Sequence, residues 1–278
     1  MIPAGGLQIA FLILAVEFFA MLLSRQATRA FALSPHATEL LGQCIALSVA
    51  AAILFGVKSL RRWSLNALAP APRKGAALEV LFVALGTCAI PFAVVGACAG
   101  WAFVAGVPGD PGRVVRYVDP VEAWSWTLSP PGLARMLLLA WFVGPVLEEL
   151  VFRGLLYRAW ERQFGWVASL LLTSACFGLA HPTHVATAFL ASVVYTCVLR
   201  RTGTLRAAIQ VHILYNILVS WPLLGRALLQ RPDGALESPA TWALPFASLA
   251  FVSVALPAYL WMARRDLRAD GTPPASAR

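Results

Sequence analysis

The chain has 278 residues, of which 59% are apolar and only 13% charged, and its mean hydropathy is +0.73. A soluble globular domain does not reach such values, so lipid is the expected solvent for most of the chain. The formal charge of +9 raises the question of a nucleic-acid partner. Its distribution, basic residues collected between apolar stretches, points to membrane topology and anionic lipid headgroups instead.

A helix that crosses a bilayer needs roughly 20 mostly apolar residues. Such stretches recur near Leu7 to Leu23, Leu40 to Val57, Ala76 to Val104, Ala134 to Tyr157, Trp166 to Ala180, Val185 to Leu199, Leu205 to Leu223 and Trp242 to Ala263. The expected fold is therefore all-α: a polytopic transmembrane helical bundle of about eight spans, one that is also expected to hold a buried polar cavity. One unit covers residues 1–268, and the tail 269–278, rich in Pro, Ala and Ser, is expected to be disordered. With both termini in the cytoplasm, 14 of the 22 Lys and Arg residues fall in inner segments and 6 in outer loops, as the positive-inside rule favours. The first span lacks a basic leading region and a small-residue cleavage site, so it is expected to stay as a helix.

The stretch Gly106 to Gly132 holds five prolines together with Trp124 and Trp126, which suits an irregular outer loop or a substrate-facing cap. Pro91 and the pair Gly144-Pro145 interrupt the third and fourth spans, where a missing N–H and a ring clash kink or break a helix. Pro145 would then open a new half-helix whose dipole favours the carboxylates one turn in. Cys44, Cys88, Cys98, Cys176 and Cys197 lie in apolar spans without a C-x-x-C pair, and are expected as buried small hydrophobes.

Ionisable groups inside a bilayer are costly and mark candidate functional sites. Within the spans these are Glu17, Glu148, Glu149, Arg153, His181, His184 and His212, with Asn216 as a polar companion. Glu149 and Arg153 stand at i and i+4, so they share a helix face and can pair. Glu148 lies about 100° around the axis from Glu149, which leaves it free for chemistry. In a dry pocket its pKa would tend upward, as a general base near neutral pH requires. Phe177 and His181 lie one turn apart, and a membrane histidine near a carboxylate can polarise a water. His212 and Asn216 share a face of the seventh span, where two donors could stabilise an oxyanion. Each feature also has a structural reading: the Glu149–Arg153 pair as a packing lock, the histidines as hydrogen-bonded core residues, and Asn216 as interhelical glue. Glu17 lacks a motif and His184 forms only H-x-x-H with His181, so both read best as structural.

The three pieces, E-E-x-x-x-R, F-x-x-x-H and H-x-x-x-N, stand in this order on three apolar spans between Pro145 and Asn216. They resemble the CPBP family of intramembrane proteases, which includes the CAAX prenyl endopeptidases of the Rce1 type. The resemblance implies a multi-pass endopeptidase of a cell membrane, the bacterial inner membrane being the expected one, with a catalytic core near 134–223. Glu148 and His181 would activate the attacking water, His212 and Asn216 would form the oxyanion site, and Glu149, Arg153 and Phe177 would support them. It implies no cofactor, and a membrane-associated protein or peptide as substrate. Two other readings stand beside it. In one, Glu148, His181 and His212 hold zinc with a position open for water, although no H-E-x-x-H helix is present. In the other, the chain is a membrane scaffold or regulator without proteolytic activity. Counted along straight helices, His181 falls near the outer end of its span and His212 nearer the inner end, so broken or tilted helices are needed to bring them together.

Overall fold

The computed structural model describes residues 8–15, 19, 20, 22, 26, 35–68, 76–105, 135–181, 184–229 and 239–269. Among these residues all regular structure is helical. Glu17, the proline-rich stretch 106–132, the tail beyond Ala269, and Arg25, Arg29, Arg113, Arg116 and Arg231 of the expected outer loops lie outside the described residues.

Helix α1 (Pro35–Ala51) continues through wider turns over Ala52–Gly56, and Val57 is extended before α2 (Lys58–Leu68). The chain bends there by 95°. Helix α2 carries Lys58, Arg61 and Arg62 beside an apolar stripe, a composition suited to a membrane surface. Helices α3 (Ala76–Thr87) and α4 (Ala89–Val104) follow each other across Cys88. Pro91 sits in the first turn of α4, where its missing N–H deprives no carbonyl, and Ala76–Trp101 still runs as one apolar stretch of 26 residues.

Helix α5 comprises Arg135–Val143, Gly144–Glu149 and Leu150–Tyr157, the middle piece α-helical and its neighbours wound in wider π turns. The backbone stays helical at Val143 and Leu150, so Gly144-Pro145 changes the winding of α5 without opening a new half-helix. Helix α6 (Arg158–Leu179) does break, at Gly165, whose φ of 74° and ψ of 173° only glycine adopts without strain. The break separates a charged first piece from the apolar stretch beginning at Trp166. Helices α7 (Val185–Thr202), α8 (Leu205–Leu229) and α9 (Pro239–Ala269) complete the described chain.

Among the described residues three stretches are long and apolar enough to cross a membrane: Ala76–Trp101, Val185–Thr202 and Ala243–Arg264. The bent pair Cys44–Gly56 and Lys58–Leu68 adds a fourth if it is one span. The expected span near Leu7 to Leu23 lies partly outside the described residues, and three others fall short for local reasons. Helix α5 carries the site's charges, the apolar piece of α6 is shortened by the break at Gly165, and the apolar part of α8, Leu205–Ser220, is short. Helix α7 is the central element, with every residue from Ala191 to Leu199 buried. By contrast α9 turns Leu244, Phe251 and Val254 outward, apolar surface that water would penalise and acyl chains accept. Helix α7 packs closely on α6 at Gly178, where an added Cβ would come within 2.9 Å of the Val185 carbonyl oxygen and 3.2 Å of the Phe189 Cβ.

At the end of α7, Arg200 donates to the Tyr157 hydroxyl at 2.7 Å and pairs with Glu161, its guanidinium lying 4.6 Å above the Trp166 ring. Arg201 pairs with Glu79, which also accepts from the Tyr259 hydroxyl at 3.0 Å. These two arginines were expected to serve topology through lipid headgroups. In the structure they tie α3, α5, α6 and α9 to the end of the central helix, where cations are favoured by its dipole. The five cysteines are unpaired.

Candidate active site

The first pair forms as its spacing requires. Arg153 and Glu149 are fully buried, and Arg153 Nη1 donates to Glu149 Oε1 at 2.9 Å. One carboxylate cannot satisfy a guanidinium with five N–H groups, so Arg153 reaches across to α7. Its Nη2 donates to the Ser192 carbonyl oxygen at 3.0 Å and to the Ser192 hydroxyl at 2.7 Å. Its plane also lies over two aromatic rings, 4.7 Å from Phe177 and 5.2 Å from Tyr195.

His212 brings the third motif to the first. Its Nδ1 lies 3.0 Å from the same Glu149 Oε1, and because a carboxylate only accepts, Nδ1 carries the hydrogen. The ring's other nitrogen, Nε2, lies 3.8 Å from Glu148 Oε2, beyond direct hydrogen-bond range. Glu148 is half-buried with 23% of its side chain exposed, whereas Glu149 has none. The two adjacent carboxylates thus differ as expected: one is sealed into an ion pair, the other is accessible.

Phe177 joins the three motifs. It is buried, and its ring centroid lies 4.5 Å from His181, 5.9 Å from His212, 6.4 Å from Tyr195 and 5.0 Å from Phe152. Both histidines therefore lie against one ring, although His181 lies two residues past the end of α6 and His212 lies within α8. His181 Nδ1 donates to the Phe177 carbonyl oxygen at 2.8 Å, which leaves Nε2 as the nitrogen with a lone pair. Among the described residues, His181 makes no contact within 4 Å of either carboxylate, and His212 is the histidine that does.

Asn216 has a partner that its spacing did not reveal. Its Nδ2 donates to the Ala140 carbonyl oxygen at 2.7 Å. In i→i+5 winding that carbonyl would be served by residue 145, which is proline and has no N–H, so Asn216 supplies the missing donor. Ser220 donates to the Asn216 carbonyl oxygen, and Trp141 Nε1 donates to the Ser220 hydroxyl at 3.4 Å, which ties α8 to the first part of α5. Of the two Asn216 N–H groups this bond engages one.

His184 is exposed; its ring lies 5.3 Å from that of His181, its N–H donates to the His181 carbonyl at 3.0 Å, and its carbonyl accepts from Ala188 at 2.9 Å, opening α7. Among the described residues no three His, Cys, Asp or Glu side chains are grouped to hold a metal ion.

Ser192, Tyr195, Trp141 and Ser220 were missed by reasoning that sought ionisable groups. Ser192 and Tyr195 had a signal: α7 is apolar overall, yet it carries Ser192, Tyr195 and Thr196 together in its middle. A buried arginine with five donors needs such neighbours.

Residues 130–218 match the family model described as type II CAAX prenyl endopeptidase Rce1-like. The match covers about a third of the chain and contains all three motifs. It agrees with the resemblance read from those motifs, and it supports a peptidase of a membrane-embedded family acting on a membrane-associated protein. Comparison with curated proteins gives no match, and comparison with solved structures gives none.

Proposed function

We propose that this protein is an intramembrane endopeptidase that hydrolyses a peptide bond in a membrane-associated protein or peptide, without a resident metal. The observation that carries the reading is the meeting of His212 with Glu149 at 3.0 Å and with Glu148 at 3.8 Å, across 63 residues of sequence. A helix packed only for stability has no need of two carboxylates around one imidazole inside an apolar core. In this reading the chain forms the eight-span bundle, with the site in a polar cavity reached from the lipid.

The chemistry assigned to each group follows from its free atoms. Glu148, the accessible carboxylate, takes a proton from water, assisted by the Nε2 lone pair of His181. The water oxygen adds to the scissile carbonyl carbon, and the C=O π electrons move to the carbonyl oxygen. That oxyanion accepts from the remaining Asn216 N–H and, with His212 as an imidazolium, from its Nε2–H. An imidazolium at His212 would donate at both nitrogens, to Glu149 and to the oxyanion, with Glu148 as its initial counter-charge. When the intermediate collapses, the C–N bond breaks and Glu148 returns its proton to the leaving amine. A prenylated protein with a CAAX end, a bacteriocin-type precursor and a C-terminal sorting segment all suit such a site.

The test is a comparison of released peptides from cells carrying wild type or Glu148→Gln, alongside purified protein acting on a farnesylated peptide with a CAAX end. Loss of cleavage in a folded, inserted Glu148→Gln protein is the expected result. Normal cleavage by that variant would overturn the assignment. A Glu148→Gln protein that fully rescued a deletion phenotype would favour the scaffold reading. Metal analysis before and after chelation is expected to find no stoichiometric zinc tied to activity.

A further inference from the structure

We infer that Tyr195 of the central helix is a positioning residue of this site: its ring sets the plane of the His212 imidazole, through which the catalytic groups are aligned. The inference rests on the peptidase reading for its activity readout only.

The His212 ring is bounded on several sides by other helices. Glu149 of α5 accepts from Nδ1 at 3.0 Å, and Phe177 of α6 meets the ring edge-on at 5.9 Å with 70° between planes. Those two contacts leave the imidazole able to turn about the axis through Nδ1, because one hydrogen bond constrains a direction and an edge contact constrains it weakly. Tyr195 of α7 removes that freedom. Its ring stacks on His212 with centroids 4.5 Å apart and 23° between planes, and it is 1% exposed. Turning His212 about Nδ1 would swing Nε2 away from Glu148, now 3.8 Å distant, and would drive the imidazole into the phenol ring.

Tyr195 is itself held. The Arg153 guanidinium lies 5.2 Å from its ring, Phe177 meets it at 89°, and Tyr215 packs against it at 6.2 Å. Ser192, one turn earlier on α7, accepts two hydrogen bonds from Arg153. Helix α7 thus holds both the guanidinium that pairs with Glu149 and the ring that aligns His212. The Tyr195 hydroxyl makes no hydrogen bond to another described residue. The contact with His212 is made by the ring, and replacing Tyr195 by Phe separates stacking from any role of the hydroxyl.

Three variants test this: Tyr195→Phe keeps the ring, Tyr195→Leu removes it, and Tyr195→Met removes it with a more adaptable side chain. In cleavage of a farnesylated CAAX-ended peptide, Tyr195→Phe is expected to keep kcat within about twofold of wild type. Tyr195→Leu is expected to lose about tenfold or more in kcat with KM little changed, as misorientation of a reacting group does. If Tyr195→Leu does not fold, Tyr195→Met is judged by the same criteria. The chain has four histidines, so nitrogen-15 histidine spectra can resolve His212 by comparison with a His212→Gln protein. In wild type and Tyr195→Phe one His212 tautomer, with hydrogen on Nδ1, or a single imidazolium is expected, and in Tyr195→Leu an averaged signal. A folded Tyr195→Leu or Tyr195→Met protein with wild-type kcat and an unchanged His212 spectrum would overturn the inference, as would a Tyr195→Phe protein as impaired as Tyr195→Leu. The spectra need no substrate. Failure of the peptidase reading, seen as full activity in Glu148→Gln, is thus distinguishable from failure of the positioning role.

Discussion

Replacing Arg153 by methionine tests the packing of the site most directly, because this one side chain joins α5 to α7. The substitution keeps much of the volume but removes three hydrogen bonds: to Glu149 at 2.9 Å and to Ser192 at 3.0 and 2.7 Å. The two kinds of bond are unequal. Interhelical hydrogen bonds inside membrane proteins average about 0.6 kcal/mol and reach about 1.7, so the Ser192 contacts account for a minor part. Leaving one member of a buried ion pair uncompensated costs about 3–5 kcal/mol, and Glu149 is fully buried with His212 as its remaining polar partner among the described residues. Arg153→Met is therefore expected to destabilise by about 3–5 kcal/mol, and Ser192→Ala by no more than about 1.7 kcal/mol. The assay is reversible unfolding of purified protein in mixed micelles, followed by helical signal against the fraction of denaturing detergent. A double variant, Glu149→Gln with Arg153→Met, removes both charges and is expected to be more stable than the sum of the single effects predicts, by about 2–3 kcal/mol. An Arg153→Met protein within about 1 kcal/mol of wild type, or strictly additive single effects, would refute the view that a compensated buried charge holds this site.

The same unfolding measurement serves three further expectations. Asn216→Leu leaves the Ala140 carbonyl without its donor and is expected to cost about 0.6–1.7 kcal/mol; no change would mean that the carbonyl has another partner. Gly178→Ala places a Cβ 2.9 Å from the Val185 carbonyl oxygen, and forcing α6 from α7 is expected to cost about 1–3 kcal/mol. Because His181 follows three residues later, peptide cleavage by that variant should also fall, and unchanged cleavage would show the turn to be tolerant. Gly165→Ala meets no steric neighbour within 4 Å, so its expected cost of about 1–3 kcal/mol comes from backbone strain alone; an unperturbed midpoint would mean that the break relaxes.

Much of this was legible from local spacing. Glu149 with Arg153, and Phe177 with His181, are i, i+4 pairs, and the structure gives each a direct contact, at 2.9 Å between charged groups and at 4.5 Å between rings. Spacing also indicated that Glu148 would differ from its neighbour. Local reasoning failed where a backbone had two responses available. A break at Gly144-Pro145 was expected, but wide winding and a side chain from another helix accommodate the proline. The apolar stretch from Trp166 was read, but the positive φ at Gly165 that separates it from the charged piece of α6 was not, since a glycine inside a helical pattern has no fixed meaning. Composition also suggested eight spans, whereas only three to four described stretches meet length and apolarity. A functional site places charges and breaks in some of the others.

By itself, then, the sequence determined the helical class, the apolar character of the helices and the Glu149–Arg153 and Phe177–His181 pairs, because hydropathy and the 3.6-residue period act within one helix. The tertiary structure decided which motif groups meet. It brought His212 rather than His181 to the carboxylates, gave Asn216 the Ala140 carbonyl as a partner, and set Ser192 and Tyr195 of the central helix against Arg153 and His212. These contacts join residues 39 to 76 positions apart, or 17 in the case of Tyr195 and His212. They depend on how helices cross, where one breaks and how another is wound, quantities that no period along a single helix encodes.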